Sequence, residues 1–284
     1  MTGLREALAG YLEETGAATV TVAGALAWAS LPAGASPGWL AFRMSVARGF
    51  AAYLHTLDPA AETIPAGLLP GRSHRAVPYL YSAADIAALL AQAERLRTPL
   101  RTATIQTLIG LLFTTGMRVG EAIGLDDGDF DAGQGTLIVR HAKFGKQRLL
   151  PLHPTTVTAL HSYRRIRDQQ FPRPCSDALL VSSAGDRLRY VNVSQTFVKL
   201  ARRAGLAARP GGSRPRPHDL RHSFAVLTLL DWYRDGGDVA ARLPLLSAYL
   251  GHVEPANTYW YLHAAPELLA EAARRLGPGP GARP

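Results

Sequence analysis

Residues 98–125 read TPLRTATIQTLIGLLFTTGMRVGEAIGL, and this stretch decides the fold class. Between Thr98 and Thr115 the sequence is strongly apolar, which predicts a helix buried on several sides. Gly116 follows at a position where helices commonly end in a left-handed residue. We therefore expect a mainly α-helical domain with this helix inside it.

A small antiparallel β-sheet is expected just after this helix. Residues 137–141 and 147–152 have the character of two strands, with a turn at 143–146 between them. Residues 178–182 are a candidate third strand. Further helices are expected at 154–168, 190–204, 218–234, 239–250, 254–262 and 265–276.

The composition changes along the chain and predicts two helical domains. Apolar residues recur at helical spacing in the N-terminal part, and Pro and Gly then concentrate around Arg72 and Arg75. The expected divisions are a helical unit at 1–69, a basic linker at 70–81, a larger domain at 82–276 and a flexible tail at 277–284.

The overall composition excludes several classes of protein. With 284 residues, of which 47% are hydrophobic and 19% charged, the chain can bury a substantial core and is not disordered. Its single cysteine, Cys175, rules out an internal disulfide and favours a reducing compartment. The N-terminus lacks a signal-peptide pattern and no apolar stretch reaches membrane-spanning length, so we expect a cytoplasmic protein without a membrane partner.

The formal charge of +9 is distributed unevenly. Residues 1–80 are neutral, whereas residues 140–221 hold seventeen basic and four acidic side chains. Such a field attracts polyanions, of which nucleic acid is the commonest, although a solvated basic surface is the simpler alternative. Only three of the 31 basic residues are lysines, namely Lys143, Lys146 and Lys199.

Two segments in the first half of the larger domain could carry chemistry. Arg118 follows a helix end amid apolar residues and needs an anionic partner, either a ligand or Glu121 three residues on. In the segment 143–148, Lys143 could act as an acid because a lysine can lose its proton and an arginine cannot. The alternative for this segment is a charged hairpin tip that contacts phosphates or stays in solvent.

Two further segments lie in the second half. His218 and Arg221 share one face of a helix start, which suits a phosphodiester anion, although local capping by Asp219 is an equal alternative. The segment 249–263 places His252 after a glycine and two tyrosines beyond it; an aromatic packing stripe is the alternative.

Taken together, the four segments resemble the active-site boxes of the tyrosine recombinases, the phage integrase family, which includes the Xer recombinases. The resemblance covers residues 82–276, and the family's tyrosine usually follows the last histidine by nine residues, which selects Tyr261 over Tyr259. The matching catalytic positions are Arg118, Lys143, His218, Arg221, His252 and Tyr261.

The resemblance implies a helical N-terminal DNA-binding domain of the core-binding, SAM-like type and a catalytic domain with a small sheet. Residues 1–69 are shorter than the four-helix domain usual in the family, so we expect an abbreviated form. The implied function is site-specific recombination in integration, transposition or dimer resolution. The implied partners are double-stranded DNA and, in a homo-tetramer, three further copies on two DNA sites, with residues 264–276 exchanged or packed in cis.

The resemblance also implies roles for the individual residues. Arg118 and Arg221 would bind the non-bridging oxygens, and Tyr261 would attack phosphorus to form a 3′-phosphotyrosine. His218 would accept the tyrosine proton and Lys143 would protonate the departing 5′ oxygen. His252 would bind the phosphate or orient the tyrosine, and Glu121 would support Arg118. DNA contacts are expected from Arg72, Arg75, Lys146 and Arg148.

This chemistry requires neither a metal nor another cofactor. The run Asp126–Asp131 lacks the glutamate that closes a calcium loop, so we interpret it as an ordinary loop. Two other functions remain open at this point. One is a type IB topoisomerase, which uses the same chemistry to relax DNA, and the other is a non-catalytic DNA-binding accessory protein.

Overall fold

The structure, a computed structural model, describes residues 2–70, 77–140, 147–208, 212–252, 258–259, 261 and 268. The chain forms two compact units, residues 1–76 and 77–284. Both are mainly helical, and the larger one contains a small antiparallel sheet, which confirms the predicted fold class. None of the helices in these ranges combines the length and apolar character needed to cross a membrane.

The N-terminal unit contains three helices in its described part, α1 (Thr2–Glu14), α2 (Val22–Ser30) and α3 (Pro37–Leu57). The Thr21 side chain caps α2, as its sequence position suggests. The core centres on Trp28, whose ring carries the Arg43 guanidinium carbon 3.9 Å from its centroid. Arg43 Nη2 also donates to the Trp28 carbonyl at 2.6 Å, so this buried cation has both a ring and an oxygen for partners.

In the larger unit, α5 is the central helix. Nine of its residues are buried, and it packs on helices from both halves of the domain, which confirms the expectation from its apolar sequence. The helices of this unit are α4 (Ala83–Ala93), α5 (Pro99–Thr115), α6 (Val119–Gly124), α7 (Pro154–Gln170), α8 (Tyr190–Arg203), α9 (Asp219–Arg234) and α10 (Val239–Leu250).

The sheet has three antiparallel strands in the order β1 (Phe130–Asp131), β2 (Thr136–Val139) and β3 (Arg148–Pro151). Val139, the last residue of β2, pairs with Arg148, the first residue of β3. The prediction of a third strand at 178–182 is wrong. That segment forms only single bridges among the described residues, and it is apolar because residues 178–181 pack in the core.

Several predicted elements lie wholly or partly outside the described residues. The turn at 143–146 lies entirely outside them, and so do residues 71–76, half of the linker at 70–81. Within the last two expected helices, only residues 258, 259, 261 and 268 are described, and all four are helical.

Gly116 ends α5 in the left-handed region, with φ +60°. A Cβ there would lie 2.4 Å from a ring carbon of Phe224, whereas a Cβ at Gly205, with φ +74°, would meet nothing within 4 Å. We expect Gly116→Ala to lower the free energy of unfolding by about 2–4 kcal/mol, because it adds a clash to the backbone strain. Gly205→Ala should cost only the strain, about 1 kcal/mol.

Urea unfolding of the two alanine variants measures this difference. Equal losses at the two positions would contradict the packing described around Gly116.

Candidate active site

The predicted site residues that the structure describes gather where α5, α9 and α10 end or begin. Arg221, in the first turn of α9, is 2% exposed and bridges the other two helices. Its Nη1 donates to the Gly116 carbonyl at 2.8 Å, and its Nη2 donates to the Leu250 carbonyl at 2.7 Å. The last carbonyls of a helix carry partial negative charge, so two helix ends stabilise this buried guanidinium.

The pKa of Arg221 is lowered to about 10, first by burial and then by the nearby Arg118. The guanidinium therefore remains protonated at neutral pH. A buried positive charge of this kind acts strongly on an anion because little water screens it.

Arg118 lies just before α6 and pairs with Glu121, as the sequence spacing allows. Its Nη1 donates to Glu121 Oε1 at 2.7 Å, and its backbone N–H donates to Oε2 at 2.8 Å. The Arg118 side chain is 31% exposed while that of Glu121 is only 5% exposed. Pairing with Glu121 therefore leaves part of the arginine open to a ligand, so the two roles considered for Arg118 are compatible.

Burial alone raises the pKa of the Glu121 carboxyl. Hydrogen bonds from Arg148 and Arg118 outweigh this effect and hold the pKa at about 2. The carboxylate is therefore ionised throughout the physiological range.

Tyr261 is buried between two imidazoles. Its ring stacks on His252, with centroids 6.1 Å apart and planes 21° from parallel, and lies 5.5 Å from the His222 ring. His222 in turn packs edge-on against His218 at 4.9 Å. By contrast, Tyr259 is 48% exposed. Burial and these ring contacts favour Tyr261 of the two candidate tyrosines.

His252 follows the left-handed Gly251 that ends α10, and its Nδ1 lies 2.7 Å from Thr258 Oγ1. Its pKa is lowered to about 4 by burial first and then by Arg221 and Arg118. The imidazole is therefore neutral at physiological pH.

This depressed pKa predicts a pH dependence of stability. Between about pH 6.5 and pH 4 the unfolded chain binds a proton at His252 and the folded chain does not. The free energy of unfolding should therefore fall as pH falls through this window. We expect His252→Gln to reduce the slope, measured by urea unfolding at a series of pH values. An unchanged slope would contradict the depressed pKa.

The remaining predicted residues have different outcomes. Lys143, Lys146, Arg72 and Arg75 lie outside the described residues. Arg148, predicted as a DNA contact, begins β3 with its side chain 11% exposed and its guanidinium on Glu121.

Two neighbours of the site are not among the residues that the sequence selected for catalysis. One is His222, which lies four residues after His218 and hence on the same face of a helix. This spacing is visible in the sequence. The other is Arg148, whose guanidinium binds Glu121, 27 residues earlier in the chain. No local sequence pattern predicts this contact.

Aspartates of the acidic run after α6 form ion pairs with arginines. Arg164 Nε and Arg167 Nη1 donate to Asp127 Oδ1 at 2.9 and 2.6 Å, and Arg187 pairs with Asp126. In the described ranges, no group of three or more His, Cys, Asp or Glu side chains is arranged to hold a metal ion.

Comparison with known proteins adds to this geometry. The model of the phage integrase family matches residues 81–267. The chain is 42% identical over 274 residues to the integrase/recombinase-type protein y4rB of Sinorhizobium fredii, covering 94% of this chain and 87% of that protein. It is also 32% identical over 264 residues to the tyrosine recombinase XerC of Mycobacterium bovis, covering 88% of this chain and 80% of that one.

The same fold occurs in the Tn1549 transposon integrase, solved in complex with transposon right end DNA. That structure matches with a TM-score of 0.69 at 18% identity, over 98% of this chain and 93% of the other.

Proposed function

Because the chain belongs to the phage integrase family, we propose that the side chains gathered at the ends of α5, α9 and α10 carry out its reaction on a DNA phosphodiester. The protein is a tyrosine recombinase, an enzyme that binds DNA and cleaves and rejoins its strands through a 3′-phosphotyrosine. The observation that carries the residue assignment is the position of Tyr261, buried against His252, the histidine on which both arginines act.

Arg118 and Arg221 stabilise the transition state. The pentacovalent phosphorane carries more negative charge than the bound diester, and guanidinium groups donate to its non-bridging oxygens. Arg221 is preorganised because its two carbonyl partners fix the guanidinium before DNA arrives. This fixed positive field serves the purpose that a metal ion serves in other phosphoryl-transfer enzymes.

Tyr261 is the nucleophile. Its phenolic oxygen forms a bond to phosphorus as the bond from phosphorus to the 5′ oxygen breaks, and the strand stays attached through its 3′ phosphate. His218, exposed at the start of α9, accepts the phenolic proton. Lys143 gives a proton to the departing 5′ oxygen, an assignment that rests on the family resemblance. Attack by a 5′-hydroxyl reverses these steps and rejoins the strands.

His252 acts as a neutral hydrogen-bond donor. If its Nδ1 accepts from the Thr258 hydroxyl, its Nε2 carries the proton and donates to a phosphate oxygen. The depressed pKa supports this assignment because a neutral ring has one donor and one acceptor nitrogen.

We further propose that residues 1–69 bind DNA as a separate domain and that Arg72 and Arg75 in the linker add DNA contacts. The enzyme acts in the cytoplasm as a homo-tetramer on two DNA sites. In the described chain, Leu268 packs in the same apolar cluster as α9 and α10, so a neighbouring copy is not needed to bury this residue.

Mapping the protein–DNA adduct tests the assignment directly. Duplexes nicked just past the cleavage point should trap the protein, and digestion followed by mass spectrometry should find the nucleotide on the peptide that contains Tyr261. Sequencing of the trapped genomic fragments then gives the target. A nucleotide on any other tyrosine would overturn the assignment, and site-independent relaxation of plasmids would favour a topoisomerase.

A further inference from the structure

One carboxylate in the proposed site is shared by two arginines. Glu121 Oε1 accepts from Arg118 Nη1 at 2.7 Å and from Arg148 Nη1 at 3.1 Å. Glu121 Oε2 accepts from the Arg118 backbone N–H at 2.8 Å and from Arg148 Nη2 at 2.7 Å. A carboxylate offers about four acceptor positions, so these four hydrogen bonds saturate it.

Arg148 lies against the end of α10 as well as on Glu121. A Cβ placed on Gly251 would lie 2.9 Å from Arg148 Nη1, so the guanidinium packs directly against this glycine. Arg118 Nη2 meets the same residue through its carbonyl at 3.3 Å. Arg148 therefore connects three parts of the site, which are the start of β3, helix α6 and the turn that leads into His252.

The charges indicate what this connection does. A buried carboxylate with only Arg118 beside it would repel a phosphodiester and compete with it for the guanidinium. A second arginine cancels the charge of Glu121 and occupies half of its acceptor positions. Glu121 then holds Arg118 in place without neutralising its charge, and the exposed part of the Arg118 side chain can reach the phosphate.

We propose that Arg148 is a positioning residue for strand cleavage. It holds Glu121 against Arg118 and fixes the start of β3 against the turn before His252. The inference rests on the proposed role of this site in DNA cleavage. It replaces the sequence-based prediction of a phosphate contact, because both terminal nitrogens of Arg148 donate to a carboxylate that neutralises its charge, whereas those of Arg221 donate to neutral carbonyls and leave its charge available to an anion.

The electrostatics of Glu121 agree with the geometry. Among the described residues, the charged groups that act on this carboxylate are Arg118 just before α6, Arg148 on β3 and Arg221 on α9. His252, beyond α10, is in turn influenced by the same three arginines. Hydrogen bonding from Arg148 is the largest of the contributions that lower the Glu121 pKa. Removing Arg148 should therefore raise that pKa, so that the carboxyl begins to take up a proton at mildly acidic pH.

The test compares Arg148→Met with wild type in single-turnover cleavage of a nicked suicide duplex at saturating protein. We expect the cleavage rate to fall by about 10²-fold, the size of effect seen when one preorganised donor is lost. The dissociation constant for DNA should change by less than about threefold, with the same salt dependence. The rate ratio of variant to wild type should rise as pH is lowered, because protonation removes the unpaired charge of Glu121.

A second variant keeps the test decisive if the buried carboxylate destabilises Arg148→Met. Glu121→Gln combined with Arg148→Met removes the unpaired charge and should cleave faster than Arg148→Met alone. The matched control is Arg140→Met, at an arginine that is 46% exposed and pairs with Asp129 near the end of β2. This variant also leaves a buried carboxylate without its arginine, because Asp129 is only 3% exposed, but Asp129 has no part in the proposed site. It should therefore cleave at a rate within about threefold of wild type.

Two results would overturn the inference. One is cleavage by Arg148→Met at the wild-type rate, and the other is weaker DNA binding with a salt slope reduced by about one, which marks a phosphate anchor. Failure of the wild-type enzyme to form any adduct through Tyr261 would instead overturn the proposed function. The two failures are therefore distinguishable.

Discussion

Tyr261→Phe is expected to abolish the covalent protein–DNA adduct, with a loss of at least about 10³-fold in strand cleavage. The phenolic oxygen is the atom that bonds to phosphorus, and nothing replaces it in phenylalanine. The substituted ring keeps the shape that packs against His222 and His252, so the fold and the DNA affinity should be preserved. Loss of the adduct with retained binding isolates the chemical step.

Tyr259→Phe is the matched control because it removes the same atom two residues away. Its side chain is 48% exposed, and we expect its adduct yield to match that of wild type. Both variants are compared on denaturing gels after incubation with the nicked duplex. Adduct from Tyr261→Phe together with none from Tyr259→Phe would reverse the assignment of the nucleophile.

Arg221→Lys is expected to reduce cleavage by about 10²–10³-fold although the positive charge is retained. The planar guanidinium donates in two directions at once, to the Gly116 and Leu250 carbonyls. A single ammonium cannot reach both carbonyls and also a phosphate oxygen in this geometry. One or both helix ends would then lose their partner, so the melting temperature should also fall.

Arg234→Lys, on the last turn of the same helix, is the control. That side chain is 64% exposed and pairs only loosely with Asp231, at 3.6 Å. It should leave both the cleavage rate and the melting temperature unchanged. Wild-type cleavage by Arg221→Lys would show that charge alone suffices and that the carbonyl contacts have no catalytic role.

The parts of the fold that follow from local sequence could be predicted. The apolar run from Thr98 to Thr115 and the glycine after it define α5, because burial and a left-handed end each leave a direct mark on the sequence. The start of α9 at His218 and Arg221 follows in the same way.

The sheet was harder to predict. Strand β1, Phe130–Asp131, is two residues long and too short to show any alternation. Residues 178–181, in contrast, are apolar because they are buried, and so they resemble a strand in sequence. Hydrophobic periodicity and strand propensity cannot separate these two cases. Both depend on the surroundings of the side chains, whereas a strand is defined by the backbone that it pairs with.

Within the site, order and spacing along the chain were enough to select Tyr261 and the residues around it. They could not reveal that Arg148 turns inward to Glu121, since an arginine after a basic turn has the same sequence signature on either side of a strand. That direction depends on the close packing of Arg148 against Gly251, which only the assembled fold defines.

The two carbonyls that hold Arg221 belong to residues 105 positions before it and 29 positions after it. A ribosome-bound chain that has not yet released α10 cannot complete this clamp, even though α5 and the start of α9 are already made. Competence to cut DNA therefore arrives late in synthesis, when the end of α10 meets the end of α5 at Arg221. A truncated or half-folded copy can be made near the chromosome without nicking it.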